Sequence, residues 1–209
     1  KGVPSRKAFD PQIRAFAKLH QAHPDAQLML HTDSGEFGST EQVNLPELCQ
    51  FYGLTVGYHG APNCNEADVI FCDQYTNLLG YPQKYMQNLY SACDVLSSVT
   101  MGEGFGVPIL EAQSCGCPVI VGDWTAMSEL CFSGWKVAKQ DADEWYTPMA
   151  AYQYMPRYEA IYDKLEAAYE MRGNMDYRSR ARDGALAYDA DKITQKYWKP
   201  ALEAIEKNL

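Results

Sequence analysis

Residues 97–131 of the 209-residue chain read SSVTMGEGFGVPILEAQSCGCPVIVGDWTAMSELC, and this stretch decides the predicted fold. It begins at the end of an apolar, β-branched run, after which residues 102–106 place three glycines within five positions and allow a close backbone approach. Pro108 suits the first turn of a following helix, because the N–H that proline lacks would be unpaired there. Gly116 ends this helix before a short apolar strand at residues 117–121. The stretch therefore predicts a strand, a glycine loop, a helix and a second strand.

A glycine loop that leads into a helix can bind an anion. The amides of the first helical turn are unpaired, and the helix dipole favours negative charge there. Glu103 and Glu111 flank these donors with seven residues between them. Two carboxylates would repel a bare phosphate, but they suit a ligand that carries hydroxyl groups as well as phosphate, such as a nucleotide sugar. The alternative is that Glu103 is an ordinary loop charge and Glu111 a solvated helix residue.

The segment GEGFGVPILEAQSCGCPVIV, residues 102–121, resembles the signature of glycosyltransferase family 4, which comprises retaining enzymes of the GT-B fold. The similarity includes the pattern of two glutamates separated by seven residues. It covers most of the chain and weakens after about Asp141. The resemblance implies transfer of a hexose from a UDP- or GDP-linked nucleotide-diphosphate sugar, with no cofactor and no metal ion.

The resemblance also implies roles for individual residues. Lys7, and with it Arg6, matches the basic residue that binds the donor pyrophosphate in the family, and Lys1 would be a second basic residue. Glu103 would accept hydrogen bonds from hydroxyls of the donor sugar, and Glu111 from those of the ribose. Lys7 and Glu103 are the expected catalytic residues. The acceptor would attack the anomeric carbon from the face of the leaving group, with retention of configuration.

The other expected donor contacts come from two loops. Amides of the glycine loop would face the sugar and the phosphates, and they belong to Gly104, Phe105, Gly106 and Val107. Asp73 and Tyr75 follow the strand that delivers nucleobase contacts in the family. Glu129 occupies the position of a family glutamate, for which we expect a capping role.

Helices and strands alternate at short spacing before and after the glycine loop. This pattern predicts an α/β fold, a Rossmann-like parallel sheet with helices on both faces, which the resemblance identifies as the C-terminal half of a GT-B enzyme. Ligands bind at the carboxyl ends of such strands, so the loops after the strands should share one edge. The predicted elements before the glycine loop are helices at 10–23, 45–52 and 83–92, strands at 28–31, 54–56 and 68–72, and a tyrosine-rich loop at 73–82.

We expect residues 1–209 to form one donor-binding domain, with residues 145–209 as its helical C-terminal part. The predicted helices there are 156–171, 176–189 and 191–207, and the predicted aromatic packing stripe is Tyr152, Tyr154, Tyr158 and Tyr162. Family members carry a strand immediately before the basic loop, whereas this chain begins at the loop. The resemblance therefore implies a missing N-terminal domain that binds a sugar, glycan, lipid or protein acceptor.

Composition argues against several classes of partner and site. The net charge of −9 and the pI of about 4.9 do not favour nucleic acid, and no apolar run approaches the roughly 20 residues of a membrane span. Seven scattered cysteines indicate reduced thiols in a cytoplasmic protein. Cys115 and Cys117 lack a second ligand pair for zinc. The two DxD-like sequences, residues 141–143 and 189–191, lie where aspartates cap helices and do not indicate a metal site.

Two alternatives to an enzyme of this family fit the sequence less well. A non-catalytic nucleotide-sugar binding or scaffold module would keep the same fold, although the presence of Lys7 and both glutamates argues against it. A dinucleotide-binding dehydrogenase does not fit, because GEGFG lacks the GxGxxG interval.

Overall fold

A computed structural model of the chain describes residues 6–34, 43–62 and 64–207. Within these residues, six strands form two three-stranded parallel sheets, with orders β1-β3-β2 and β4-β5-β6, and two more form an antiparallel hairpin. The strands are β1 (Leu28–Leu30), β2 (Val56–Tyr58), β3 (Val69–Phe71), β4 (Leu96–Ser98), β5 (Val119–Gly122), β6 (Gly134–Val137), β7 (Ala142–Tyr146) and β8 (Tyr152–Pro156). The central strands β3 and β5 are the most deeply buried.

Ten α-helices accompany these strands in the described part of the chain. They are α1 (Phe9–Ala22), α2 (Leu45–Phe51), α3 (Gln74–Leu79), α4 (Gln83–Ala92), α5 (Val107–Ser114), α6 (Thr125–Glu129), α7 (Tyr158–Glu170), α8 (Met175–Ala185), α9 (Ala190–Ile193) and α10 (Lys199–Glu206). Helices α1 and α7 pack against each other, and α5 packs against both α4 and α8. The predicted α/β class, with parallel strands, helices on both sides and a helical C-terminal segment, is confirmed.

The contact between α1 and α7 alternates basic and aromatic side chains. The guanidinium of Arg14 lies 3.7 Å from the ring centre of Tyr158, and the ammonium of Lys18 lies 3.9 Å from that of Tyr162. Each pair is four residues from the next along its helix, which places both on one face. The tyrosines thus bury their rings under the basic side chains, and the predicted packing role is confirmed for these two.

After residue 141 the structure contains a hairpin that the sequence does not predict. Strands β7 and β8 occupy residues that were assigned to the helical C-terminal part, so that part begins at Tyr158 rather than at residue 145. Tyr152 and Tyr154 lie on β8 and not on a helix. The predicted packing role is confirmed for Tyr154, which packs against the core with its ring centre 5.8 Å from that of Trp124. In a strand, alternate residues face opposite sides. The spacing of the aromatic residues in this segment is compatible with that period and with the period of a helix, so it does not distinguish the two structures.

Two smaller predictions are also wrong. Residues 73–82 contain α3, because the side chain of Asp73 accepts a hydrogen bond from the N–H of Thr76 (2.8 Å) and caps a helix in the expected loop. The helix predicted at 10–23 begins at Phe9, so Asp10 lies within its first turn. Its carboxylate accepts a hydrogen bond from the hydroxyl of Tyr52 at 2.7 Å.

A buried glutamine fixes the orientation of α5. The Nε2 of Gln113 donates to the carbonyl oxygens of Ile109 (3.1 Å) and Leu130 (2.6 Å), and its Oε1 accepts from the N–H groups of Phe132 (2.9 Å) and Ser133 (3.1 Å). The side chain is fully buried. It therefore ties the C-terminal half of α5 to the turn before β6, and the glycine loop lies at the other end of the same helix.

Within the described ranges, none of the helices combines the length and the apolar character that crossing a bilayer requires.

Replacing Gln113 by leucine should destabilise the protein, because two buried N–H groups and two carbonyls lose their partner. A stranded buried group costs roughly 1–3 kcal/mol, so we expect a loss of at least about 2 kcal/mol in the free energy of unfolding. Urea denaturation followed by circular dichroism measures it. The exposed Gln50→Leu on α2 is the matched control and should change stability by less than about 0.5 kcal/mol. Equal effects of the two substitutions would contradict the role given to Gln113.

Candidate functional site

Two loops that are far apart in sequence meet in front of α5. The N–H of Met101 donates to the carbonyl oxygen of Arg6 at 2.9 Å, and Nη1 of Arg6 donates to the carbonyl oxygen of Gly102 at 2.6 Å. Gln12 of α1 connects the basic loop to β4. Its Nε2 donates to the carbonyl of Lys7, and its Oε1 accepts from the hydroxyl of Ser97 on β4. The basic loop and the glycine loop therefore form one structural unit.

Glu103 joins the two loops by charge. Its Oε1 accepts from Nζ of Lys7 at 2.7 Å and lies 3.0 Å from Nη1 of Arg6. Both contacts use the same oxygen, and among the described residues Oε2 has no polar partner. Partial burial raises the pKa of Glu103, but the hydrogen bonds and positive charges of Lys7 and Arg6 outweigh it, and the net pKa is lowered. The carboxylate is thus ionised at neutral pH and can accept a further hydrogen bond.

The start of α5 presents unused main-chain donors. Within the described residues, no acceptor is bound by the N–H groups of Gly104, Phe105, Gly106 or Val107. Gly106 has a φ of +96°, and a methyl group there would lie 3.0 Å from Cδ1 of Ile109, so the turn into the helix requires glycine. Gly104 has neither constraint, because its φ is ordinary and a methyl group there would meet nothing within 4 Å. Its exposed backbone instead leaves open space for a ligand.

Glu111 lies one turn further along α5. It is exposed, about 6 Å along the helix axis from Val107 at 1.5 Å per residue. Its Oε2 accepts a hydrogen bond from the hydroxyl of Tyr90 at 3.3 Å. Burial, and then the charge of Glu111, raise the pKa of Tyr90, so this hydroxyl stays protonated as a donor. The structure thus brings together Arg6, Lys7, Glu103 and the start of α5, with Glu111 on the same helix.

A third loop reaches the site from the end of β5, and sequence reasoning missed its contribution. The hydroxyl oxygen of Thr125 accepts from the N–H of Glu103 at 3.2 Å. Thr125 has a φ of +53°, and Ala8, next to Lys7, has a φ of +52°. Positive φ is uncommon in residues other than glycine and strained in a β-branched one, and such strain concentrates at functional sites. The rule that strand-end loops share an edge pointed to this loop but not to Thr125.

The hairpin also contacts the glycine loop. The N–H of Tyr154 on β8 donates to the carbonyl oxygen of Met101 at 3.1 Å. A methyl group on Gly102 would lie 4.0 Å from Cγ of Gln153 and 3.5 Å from Cγ2 of Thr125. No sequence motif marked the hairpin, because these contacts depend on tertiary packing.

Two predicted site residues, Asp73 and Tyr75, do not join this cluster. The carboxylate of Asp73 caps α3, and the hydrogen bond from Thr76 lowers its pKa. Tyr75 is 71% exposed, and none of the contacts among the described residues joins either residue to the glycine loop. Lys1 lies outside the described residues. Glu129 is the exposed last residue of α6 and cannot cap the start of that helix, so its predicted capping role is wrong.

The DxD-like sequences have other partners. The carboxylate of Asp143 on β7 accepts from Nη2 of Arg157 at 2.6 Å, and Asp189 caps α9 by accepting from the N–H of Lys192 at 3.1 Å. The capping role is confirmed for Asp189, but Asp143 lies on a strand. In the part of the chain that the structure describes, no three His, Cys, Asp or Glu side chains are grouped closely enough to hold a metal ion.

A family model described as "Glycosyl transferases group 1" matches residues 2–152. The chain belongs to the group 1 glycosyltransferases. A curated member of related sequence is the D-inositol 3-phosphate glycosyltransferase of Pseudarthrobacter chlorophenolicus, which is 30% identical over 122 residues, or 58% of this chain and 25% of the relative. The matches to curated relatives span about half of their length or less.

Solved structures similar to this group 1 glycosyltransferase share its fold. Anabaena HepE in complex with UDP-glucose aligns with a TM-score of 0.66 and 20% identity, over 96% of this chain and 46% of HepE. The C-terminal domain of the group 1 family protein LpcC from Francisella tularensis aligns with a TM-score of 0.54 and 20% identity, over 93% of this chain and 82% of that one. These likenesses support the predicted GT-B type of fold.

The ion pair in the site should make stability depend on pH. Because the pKa of Glu103 is lower in the folded state, its charge stabilises the fold above the unfolded-state value of about 4.5, and this contribution is lost as the pH falls through the folded-state pKa. We expect Glu103→Gln to lower the free energy of unfolding at pH 7 by about 1 kcal/mol and the difference to shrink as the pH is lowered below 4.5. Urea denaturation at pH 7 and at a series of more acidic pH values measures it.

Asp143→Asn provides the matched control, because its ion pair with Arg157 is exposed (side chains 66% and 52% accessible). This variant should differ from the wild type by less than about 0.5 kcal/mol at every pH. A Glu103→Gln effect that stays constant down to pH 3 would contradict the electrostatic explanation.

Proposed function

We propose that this chain is the C-terminal, donor-binding domain of a retaining family 4 glycosyltransferase that transfers a hexose from a UDP- or GDP-linked sugar. The observation that carries the proposal is the group of unpaired amides at Gly104–Val107 beside the Lys7–Glu103 ion pair. Backbone donors, a basic side chain and an accepting carboxylate are the complement of a molecule that joins a diphosphate to a polyhydroxylated ring. A protein of similar fold supplies the precedent, since HepE has been solved with UDP-glucose.

The diphosphate would lie at the start of α5. Four N–H groups and the positive end of the helix dipole face it. Arg6 and Lys7 both bind the carboxylate of Glu103, so two basic side chains lie beside the start of α5. An ammonium has three N–H donors, so Lys7 can bind Glu103 and a phosphate oxygen together. The overall charge of −9 makes this local concentration of donors decisive for binding an anion.

The two glutamates would bind alcohols at opposite ends of the donor. Oε2 of Glu103 would accept from a hydroxyl of the transferred sugar, while Lys7 and Arg6 hold Oε1 in place. Glu111, one turn along α5, would accept from the ribose hydroxyls and would keep the hydrogen bond from Tyr90. Nucleobase contacts from Asp73 and Tyr75 remain part of the proposal through their main chain or through movement of α3, since the carboxylate of Asp73 already caps that helix.

The reaction requires stabilisation of the leaving nucleoside diphosphate. As the glycosidic bond breaks, negative charge grows on the phosphate oxygens, and the acceptor attacks the anomeric carbon from the same face, with retention. Lys7 and the amides of α5 are positioned to stabilise that charge, each well-placed donor contributing roughly 3 kcal/mol. These groups would serve in place of a metal ion, which is why we propose a metal-independent reaction.

The rest of the protein belongs to the proposal as well. The chain spans less than half of HepE, and its coverage of the LpcC C-terminal domain supports a C-terminal position. A separate N-terminal domain would bind the sugar, glycan, lipid or protein acceptor. A cytoplasmic location is supported by seven free cysteines. Burial raises the pKa of the Cys49 thiol to about 11 and that of Cys117 to about 12, so both stay protonated and unreactive.

The chain should bind a nucleoside diphosphate through Lys7. Isothermal titration with UDP, GDP and ADP is expected to show binding of at least one, and Lys7→Met should weaken it by about tenfold or more because a charge-assisted hydrogen bond is lost. Lys84→Met, on the exposed face of α4, is the control and should bind as the wild type does. Absence of binding to all three nucleotides would refute the proposed function.

Gly104→Ala provides a second variant that does not disturb the ion pair. The protein has room for the methyl group, so the unfolding temperature should not change. A methyl group between the amides and the phosphates should nevertheless weaken nucleotide binding by about tenfold. Unchanged affinity in this variant would mean that the ligand does not approach the glycine loop.

Activity distinguishes the enzyme from a non-catalytic binding module of the same fold. In the full-length protein, Glu103→Ala should lower sugar transfer by at least about a hundredfold, because a contact to the reacting sugar is removed. Nucleotide affinity should change much less. Transfer is measured by product chromatography, and proton NMR of the anomeric centre should show retained configuration. An inverted product, or full activity of Glu103→Ala, would contradict the mechanism.

A further inference from the structure

The hairpin of β7 and β8 borders the site at the glycine loop. It is attached through the hydrogen bond from Tyr154 to Met101, immediately before Gly102 and Glu103. Directly opposite residues of an antiparallel pair share one face, and Trp145 lies opposite Gln153. Since Gln153 is the residue that adjoins Gly102, the face of Gln153 and Trp145 borders the glycine loop. Trp145 lies on β7, two strand spacings from the glycine loop, which corresponds to roughly 10 Å.

Among the described residues, the side chains of Trp145 and Gln153 have no aromatic neighbour and no hydrogen-bond partner. Trp145 is 42% exposed, and within the described residues its ring has no aromatic neighbour and its indole N–H no acceptor. The carboxamide of Gln153, half-buried, likewise has no hydrogen-bond partner there. On the opposite face, by contrast, Tyr146 and Tyr152 contact each other, with ring centres 5.2 Å apart. The face beside the site thus combines an open aromatic surface with an unpaired amide.

A groove of about 460 Å³ extends this face past the basic loop. The next pair on the same face, Asp143 and Met155, lines this groove together with Ala8 and Phe9, which directly follow Lys7. Asp143 is paired with Arg157, so the groove wall carries little net charge there. The groove therefore adjoins both this face of the hairpin and the segment that follows the basic loop.

We propose that Trp145 and Gln153 form a subsite on this domain that contacts the sugar ring of the acceptor, in addition to the contacts from the proposed N-terminal domain. This proposal rests on the proposed function, because it places the acceptor beside the donor sugar held by Glu103. The occupant must be uncharged and must combine C–H groups with hydroxyls. The C–H groups of a pyranose carry partial positive charge and suit the negative face of an indole, while its hydroxyls suit a carboxamide that both donates and accepts. A lipid chain would leave the amide of Gln153 unpaired.

Saturation-transfer difference NMR tests the subsite with the 209-residue chain in the presence of saturating UDP. The probes are methyl α-D-glucopyranoside, methyl α-D-mannopyranoside and n-octyl β-D-glucopyranoside. We expect transfer to ring protons, with Trp145→Ala weakening affinity by about tenfold and Gln153→Ala by about fivefold. Trp145→Phe should retain most of the affinity. Tyr146→Ala, on the opposite face, is the matched control and should bind as the wild type does.

Three results would overturn the proposal: no ring-proton transfer to any glycoside, transfer confined to the octyl chain, or equal losses in Trp145→Ala and Tyr146→Ala. Unfolding temperatures of all variants show whether a loss comes from misfolding, and Trp145→Phe then carries the test. UDP affinity is measured separately. If UDP binds normally and the glycosides do not, only the acceptor subsite fails. If UDP does not bind, the donor-binding function fails and the subsite with it.

Discussion

The ion pair between Lys7 and Glu103 is the constraint on which the site depends. The two residues are 96 positions apart, and their contact, with Arg6 on the same oxygen, sets the distance between the basic loop and the glycine loop. Without it, two flexible loops would carry unneutralised charges next to each other. With it, Oε1 of Glu103 binds both basic side chains, and Oε2 has no polar partner among the described residues. The same interaction that shapes the protein therefore also orients the group that we expect to contact the sugar.

The surrounding structure supports this arrangement with buried polar contacts and local strain. Gln12 connects the basic loop to β4, and Gln113 fixes the far end of α5, so the helix that offers its amides cannot easily shift. Positive φ angles at Ala8 and Thr125 lie on two sides of the site. Strained residues persist only where neighbours over-determine their conformation. The unpaired amides are thus presented by a rigid framework, which reduces the entropy lost when a ligand binds.

Local signals made much of this site predictable. Gly106, Pro108 and Gly116 each mark one boundary of the loop, helix and strand. The spacing of Glu103 and Glu111 predicts that both acids lie beside the start of the helix. What could not be predicted depends on tertiary context. No local sequence signal marks the positive φ of Thr125, and residues 142–156 form a hairpin although their aromatic spacing is also compatible with a helix. No sequence pattern shows that Lys7 contacts Glu103 and not solvent.

The packing of α1 on α7 has a consequence for how the chain matures in the cell. His23 and Glu166, which connect these helices, are separated by 143 positions, so the segment between them must leave the ribosome before α1 meets its partner. At roughly 5–20 residues per second, translation of that segment takes about 7–29 s. Bringing ends so distant together also slows the search for the native contact. During that interval the apolar side of α1 is a surface that chaperones can recognise.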